Sequence, residues 1–342
     1  MTLLQDIDAR SREIFRRLVE TYLTTGEPVG SRTLSNDSSI AVSAATIRNV
    51  MADLTDIGLL HAPHVSAGRL PTELGLRLFV DGLMQVGELS EDERRAIERE
   101  TAGGDVENLL QDAAARLSGL TQTASLIVTQ KADAPLRQIE FIGAGPGQAL
   151  GVMVFEDGRI ENRVIETPKD MPASALTMAG NYLNARLAGR SLNETRAQIL
   201  EELRTNRAEL DALTARLVAD GVADMAGGDD WTLIVRGRGH LIEEGTAQDL
   251  ERVRMLLDDL ERKSEVVDLL NAAGDGEGVK VFIGSENRLF SLSGSSIIAA
   301  PYRDENRKIV GVLGVIGPTR LNYAKVVPIV DYTAEVLSRM LK

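Results

Sequence analysis

The chain has 342 residues, of which 43% are hydrophobic and 26% charged; this is the composition of folded domains and excludes a largely disordered protein. It has no cysteine and only three histidines, which excludes disulfide frameworks, thiolate metal sites and sites built from several histidines. The formal net charge of −13 argues against a general binder of polyanions, because affinity for a phosphate backbone needs positive charge.

Residues 1–84 carry little of the net negative charge. They hold eight arginines and ten acidic residues, and the first lysine of the chain is Lys131. A small anion-binding site that uses a few placed arginines is therefore compatible with this composition.

The amino-terminal residues lack the pattern of a secretory signal, and every apolar run is shorter than the ~20 residues of a transmembrane helix. We therefore expect a cytoplasmic protein that has no membrane segment. The sequence also predicts no cofactor and no metal.

Residues 1–84 have the pattern of three short helices, two short strands and a fourth helix. Apolar spacing over 7–23 predicts the first helix, and Gly26 begins the turn that ends it. A short second helix is expected from Ser31, and the fourth helix is expected over 72–84.

The third helix is the most informative element. Its N-cap is Ser43, and it is expected to run to Ile57, where Gly58 stops it. Its apolar face is expected to be buried and consists of Ile47, Val50, Met51, Leu54 and Ile57. Its opposite face carries Ala45, Arg48, Asn49 and Ala52.

That opposite face is suited to reading DNA. Two alanines beside an Arg-Asn pair let the helix approach another surface closely. Arginine is the usual partner of guanine in the major groove and asparagine that of adenine. The first helical turn also presents backbone amides that can meet phosphate.

The segment after the third helix predicts the wing of a winged helix, in which the third helix reads a groove and the wing lies along the DNA backbone or minor groove. Residues 59–63 predict one strand, residues 66–68 a tight tip and Arg69 to Pro71 the return, with Arg69 projecting from the wing. The alternative is that Arg48 and Arg69 are ordinary solvated charges. The serine cap, the glycine stop and the wing together favour DNA binding over that alternative.

Beyond residue 104 the pattern alternates between strands and helices. Strands, a long helical stretch and further strands predict a sheet domain that carries a helical insertion. Two helical stretches of this insertion, 195–226 and 247–270, have apolar stripes that favour a dimer seam and an intramolecular core equally. Their leucines and valine are Leu203, Leu210, Leu213, Leu217, Leu250, Val253, Leu257 and Leu260.

An enzyme is not expected. The glycines of 143–147 lack the ending of a phosphate loop and predict a hairpin turn. No pair of carboxylates and no nucleophile elbow is spaced for catalysis.

Four segments resemble the family of the heat-inducible transcription repressor HrcA. They are PVGSRTL (28–34), ATIRNVMADL (45–54), PHVSAGRLPT (63–72) and GVLGVIGPTRLNY (311–323). The resemblance implies a repressor of heat-shock chaperone operons that binds double-stranded DNA, at an inverted-repeat operator, as a homodimer and is released on heat stress. It also implies that the chaperonin helps the repressor to reach or keep its DNA-binding form.

Together these observations predict an α+β multidomain fold: an N-terminal winged helix-turn-helix and a GAF-like α/β sheet domain with a helical or mixed insertion. The predicted domains are a DNA-binding domain at 1–84, a linker at 85–104, a discontinuous GAF-like domain at 105–168 and 274–342, and an inserted dimerisation domain at 169–273. The residues expected to contact DNA are Ser31, Arg32, Ser43, Ala45, Thr46, Arg48, Asn49, His64, Ser66 and Arg69.

The competing class is a winged-helix regulator whose GAF-like domain binds a small molecule. Such a domain needs a pocket lined by convergent polar groups. The side chains that suggest one are Tyr302, Arg303 and Arg320.

Overall fold

The chain divides into two compact units. The first unit comprises Met1–Thr129 and Trp231–Lys342, and the second comprises Gln130–Asp230. A computed structural model of the chain describes residues 7–37, 42–64, 67–99, 106–130, 135–187, 189–205, 214–215, 217–219, 231–241, 254–255, 278–286, 294–305 and 307–341.

The first unit begins with the predicted succession of helices and short strands. Its elements are α1 (Ala9–Thr25), α2 (Ser31–Ser35), α3 (Ala44–Asp56), β1 (Leu60–His61), β2 (Leu70–Pro71) and α4 (Glu73–Gly82). The two strands are antiparallel, with Leu60 opposite Pro71 and His61 opposite Leu70. The helix order and the strand pair are those expected of a winged helix.

Local signals set the ends of α1. The Asp8 carboxylate accepts from the backbone N–H groups of Arg10 and Ser11 and so caps the first turn. Gly26 ends the helix with a φ of +72°, a left-handed conformation that glycine adopts without strain. Between these ends, Phe15 and Leu18 are fully buried in a core that they share with α3 and α4.

Residues 91–98 differ from the predicted linker. They form α5 (Glu91–Glu98), which begins with a capping box made by Ser90 and Glu93. Ile97 packs into the core of the first unit and is 5% exposed. The prediction of a linker is therefore wrong for this part of 85–104. Ile97 anchors a helix whose other residues, apart from Ala96, are charged.

A five-stranded sheet forms the rest of the first unit. Its strand order is β7-β3-β10-β9-β8. Alternate sheet residues face α6 and α9 in the main core, and the others form a second buried cluster. The elements are α6 (Val106–Thr121), β3 (Ala124–Gln130), β7 (Trp231–Arg236), β8 (Lys280–Ile283), β9 (Ser295–Arg303), β10 (Ile309–Pro318) and α9 (Tyr323–Met340).

The second unit has its own three-stranded meander, in the order β4-β5-β6. Its elements are β4 (Leu136–Gly145), β5 (Gln148–Phe155), β6 (Ile160–Glu166), α7 (Ala173–Leu187) and α8 (Leu192–Thr205). The predicted hairpin turn at 143–147 joins β4 to β5, and Gly145 and Gly147 adopt positive φ there. Leu183 of α7 is fully buried against one face of the meander.

Two predictions about the division of the chain are corrected. The predicted insertion at 169–273 is wrong for Trp231–Arg236, because β7 belongs to the five-stranded sheet of the first unit. Placing 136–166 in the larger sheet is wrong, because β4, β5 and β6 pair with one another in a separate sheet. Leu203 and Leu217 belong to the core of this unit, so for them the intramolecular alternative is confirmed. The other leucines of the two stripes, with Val253, lie outside the described residues.

The structure confirms a mixed α and β fold with several sheets, whereas the GAF-like character of the larger sheet stays a prediction. Within the described ranges no helix combines the length and the apolar composition needed to cross a bilayer.

Candidate nucleic-acid interface

Helix α3 has one buried and one exposed face, as the sequence predicts. Ile47, Val50, Met51 and Leu54 are buried in the core of the first unit. Ile57 departs from the prediction, because the helix ends at Asp56 and the isoleucine side chain is 44% exposed.

The exposed face of α3 is chemically simple. Its exposed residues are Ala45, Arg48, Asn49, Ala52, Asp53 and Asp56. Arg48 and Asn49 make no side-chain hydrogen bond or ion pair with any other residue that the structure describes. Their donors and acceptors are therefore available to a partner, and the flanking alanines leave room for it.

The N-terminal and C-terminal halves of this face differ in charge. The half around Arg48 and Asn49 is suited to the floor of the major groove. Asp53 and Asp56 occupy the C-terminal half, and their carboxylates repel phosphate. The arrangement therefore favours an approach through the N-terminal half of α3.

Ser43 and Thr46 form the N-terminal cap of α3. The Ser43 hydroxyl accepts from the Thr46 backbone N–H at 3.2 Å and lies 3.0 Å from the Thr46 hydroxyl. Both were expected to contact DNA; they build the cap that orients the first turn. Ser31 and Arg32 lie at the start of α2, where Arg32 is exposed and Ser31 half-buried.

The wing is held to the turn before α2 by backbone hydrogen bonds. Val29 and Arg69 exchange two backbone hydrogen bonds, each of 2.9 Å. Gly68 has no space for a side chain, because a Cβ there would collide with the Val29 carbonyl. His64 is exposed beyond β1, whereas Ser66 lies outside the described residues.

The expectation that Arg69 projects from the wing is wrong. Its side chain is half-buried and turns back toward α3. Its Nε–H donates to Thr55 Oγ1 at 3.2 Å, and Nη1 donates to the Ala67 carbonyl at 3.4 Å. Thr55 was missed in the sequence, where a threonine 14 positions from its partner carries no local signal.

The three side chains that suggested a ligand pocket do not converge. Tyr302 is fully buried, its hydroxyl donates to the Val128 carbonyl at 3.3 Å, and burial raises its pKa. Arg303 donates to the Arg307 carbonyl, and Arg320 lies beside Gly26 at the end of α1. The described residues also contain no group of His, Asp and Glu side chains that could hold a metal ion.

Comparison with known proteins points to one family. The family profile described as the HrcA protein C terminal domain matches residues 107–327. The heat-inducible transcription repressor HrcA of Afipia carboxidovorans is 57% identical over 345 aligned positions, which cover 99% of this chain and 95% of that protein. The protein of the same name from Nitrobacter winogradskyi is 56% identical with the same coverage.

A solved structure shares the fold. It is described as the crystal structure of a hypothetical protein, and it matches with a TM-score of 0.62 and 22% identity over 98% of both chains. At that identity the match supports the fold alone. The identities with the curated repressors, over nearly the whole chain, show that this protein belongs to the HrcA family of heat-inducible transcription repressors.

Proposed function

We propose that the chain is a DNA-binding repressor of heat-shock chaperone operons that acts in the cytoplasm and catalyses no reaction. It occupies an inverted-repeat operator as a homodimer and thereby blocks transcription. The observation that carries this proposal is the exposed Arg48-Asn49 pair between alanines on α3, in a chain whose relatives are named as transcription repressors.

The proposed contacts follow from the geometry of α3 and the wing. Arg48 reads guanine O6 and N7, Asn49 reads adenine N6 and N7, and the first turn of α3 meets a phosphate through its backbone amides. Arg32 and His64 are exposed at the flanks and are placed to contact the sugar-phosphate backbone.

Two copies are needed for useful affinity. Residues 1–84 carry eight arginines against ten acidic residues, so one module neutralises few phosphates. Linking two modules makes the second contact intramolecular and raises the effective concentration. A two-fold dimer requires half-sites separated by whole helical turns, roughly 34 Å or a multiple of it.

The outer face of the β4-β5-β6 meander is the dimer surface that we propose. Ile142, Leu150 and Val164 lie directly opposite one another across the three strands. In a second row Val154 lies opposite Ile160. Ile142, Ile160 and Val164 are 50%, 67% and 59% exposed, so this face offers apolar area for a second copy to bury.

Release on heating would follow from the marginal stability of folded proteins, since a modest temperature rise lowers the fraction of DNA-competent dimer. The chaperonin would restore that fraction by refolding the repressor. Operator binding by the purified protein that stays unchanged across the heat-shock range, with and without chaperonin, would contradict this part of the proposal.

The experiment that tests the function is a gel shift at physiological salt. The full chain is mixed with a labelled duplex that carries an inverted repeat from upstream of a chaperone operon, and with a scrambled duplex of the same length and composition. We expect a shift with the inverted repeat alone. Absence of that shift, or equal shifts with both duplexes, would overturn the proposal.

Ligand control is the competing proposal, and it predicts a different result. A small molecule that binds the larger sheet domain would raise the melting temperature of the full chain and change its operator affinity. The three side chains that suggested such a pocket do not support this alternative, because Tyr302, Arg303 and Arg320 are directed to separate surroundings.

A further inference from the structure

The wing of this protein is too short to set its own orientation. Strands β1 and β2 contain two residues each, and an isolated two-stranded ribbon is marginally stable at best. The angle between the wing and α3 decides whether both can touch the same duplex. Contacts with residues outside the ribbon must therefore fix that angle.

One end of β2 is fixed by the start of α4. The Thr72 hydroxyl donates to the Gly58 carbonyl at 2.7 Å, and the Thr72 backbone N–H donates to the Leu59 carbonyl at 3.0 Å. These bonds join the end of the return strand to the residues that follow α3. At the side nearer the tip, the two backbone hydrogen bonds between Arg69 and Val29 hold the wing to the turn before α2, and a side chain supplies the contact with α3.

Arg69 makes the contact on that side. Its Nε–H donates to Thr55 Oγ1 at 3.2 Å, while the Thr55 hydroxyl donates to the Met51 carbonyl at 2.7 Å. The threonine oxygen thus receives one hydrogen bond from the wing and gives one to its own helix. Arg69 is linked through this oxygen to the body of α3.

The position of the guanidinium is also electrostatically favourable. Thr55 lies in the last turn of α3, where the carbonyl groups of the helix carry partial negative charge. A cation there is stabilised, whereas an arginine that reached for DNA would leave that site. The half-buried state of Arg69 agrees with this placement.

We propose that Arg69 is a positioning residue, which holds the wing against α3 through Thr55 and does not itself bind DNA. This inference rests on the proposed DNA-binding function and assigns one part of its interface. It predicts that Thr55, whose hydroxyl faces the wing rather than the exposed face of α3, matters for operator affinity as much as Arg69 does.

The test is a double-mutant cycle on operator affinity in the full chain. We expect Thr55→Val and Arg69→Gln each to weaken operator binding by the dimer about tenfold, because each of its two protomers loses one hydrogen bond of modest net strength. The double variant should be about tenfold weaker as well, because both changes remove the same link. Thr55→Ser keeps the hydroxyl and should bind like the wild type.

The salt dependence separates positioning from phosphate contact. A positioning role leaves the slope of log affinity against log salt unchanged in Arg69→Gln. An arginine that neutralises one phosphate in each protomer would lower the magnitude of that slope by about two per dimer. Such a lower slope, or a double variant about a hundredfold weaker, would overturn the inference.

The matched control is Thr21→Val. Thr21 lies in α1, and its hydroxyl donates to the Arg17 carbonyl at 2.8 Å, as that of Thr55 donates to Met51. A loss in Thr55→Val no larger than in Thr21→Val refutes the link to Arg69. If the wild type itself fails to distinguish operator from scrambled DNA, the proposed function fails; if it distinguishes them while Thr55→Val binds normally, only this inference fails.

Discussion

Arg48 lies on a helix face that is otherwise small or uncharged over its first two turns. Arg48 is exposed and pairs with no other described residue, so its side chain adds little to the stability of the fold. Its removal should therefore lower the affinity for a partner and leave the folding stability unchanged. The same reasoning applies to Asn49, which lies beside it.

We expect Arg48→Ala to weaken operator binding by about 1–3 kcal/mol for each half-site, because each protomer loses one bidentate contact to a base. Discrimination at the base pair that Arg48 reads should weaken at the same time. Affinities for an operator series with single base changes would measure both effects. The control is Arg137→Ala, which removes an exposed arginine from the second unit and should change neither quantity.

An Arg48→Ala variant with normal affinity and normal base preference would contradict the assignment of α3 as the reading helix. A uniform loss of affinity without relaxed preference would instead assign Arg48 to a phosphate.

The residues of α3 show which features of the proposed interface the sequence predicts. The exposure of Arg48 and Asn49 is predictable because helical periodicity separates them from the buried Ile47 and Leu54. The direction of Arg69 is not predictable in this way. It depends on the distance between the wing and the last turn of α3, which is a property of the tertiary fold.

At the scale of elements, α4 joins the wing to the larger sheet. Arg77 of α4 donates to Glu286 through Nε at 2.7 Å and makes a second bond to the same carboxylate. Glu73 accepts from the backbone N–H of Ser285 at 3.1 Å and from its hydroxyl. Glu73 and Arg77 lie one and five residues after Thr72, so these contacts also constrain the wing.

The Arg77–Glu286 pair predicts a pH dependence. Burial opposes ionisation of Glu286, but hydrogen bonds from Arg77 and from the Ile283 backbone N–H outweigh it, so the pKa of this carboxyl lies below its usual 4.5. A lowered folded-state pKa means that the stabilisation is present above pH 4.5 and is lost as the pH falls through the folded value.

We therefore expect Glu286→Gln to lower the melting temperature by about 2 °C at pH 7, as for the loss of roughly 1 kcal/mol in a unit of this size. The difference from the wild type should shrink as the pH falls from 7 to below 4. Calorimetry of both proteins over that range would measure it. Glu305→Gln, which removes an exposed carboxylate, is the control; a difference independent of pH, or equal in both variants, would contradict the assignment.

The C-terminal segment that resembles the family is largely structural. Tyr323 is fully buried at the start of α9, and its hydroxyl donates to the Thr319 carbonyl at 2.7 Å and lies 2.8 Å from Ser296 Oγ. Burial raises the pKa of Tyr323, so the hydroxyl remains a neutral donor. This bond closes the turn between β10 and α9.

Local turns were predicted better than strand partners. The glycines of 143–147 predicted the hairpin that joins β4 to β5. The separation of these strands from the larger sheet was not predictable, because alternation along a strand carries no information about which sheet it joins. The packing of α5 into the core was also not predictable, because Ile97 is a single large apolar residue in a charged segment.

At the scale of the whole molecule, a chain of net charge −13 must confine its DNA contacts to a small surface on each copy. If each protomer neutralises about three phosphates, the slope of log affinity against log salt is near −5 for the dimer and half of that for a monomer. The salt dependence of operator binding therefore reports the oligomeric state that binds.

The outer face of the meander gives the last prediction. Val164 is 59% exposed, so Val164→Glu should leave the fold of the protomer intact. In the dimer the new carboxylates would be buried against the apolar rows of Ile142 and Leu150, where an unpaired charge is strongly unfavourable.

We expect Val164→Glu to give a monomer in sedimentation equilibrium at concentrations where the wild type is a dimer. Its operator affinity should fall by about a hundredfold, with the salt slope halved. Val106→Glu introduces the same charge at a valine that is 55% exposed in the first unit, and it should remain dimeric. A Val164→Glu protein that stays dimeric and binds the operator normally would exclude this face as the dimer contact, because the burial of unpaired carboxylates in an apolar contact is strongly unfavourable.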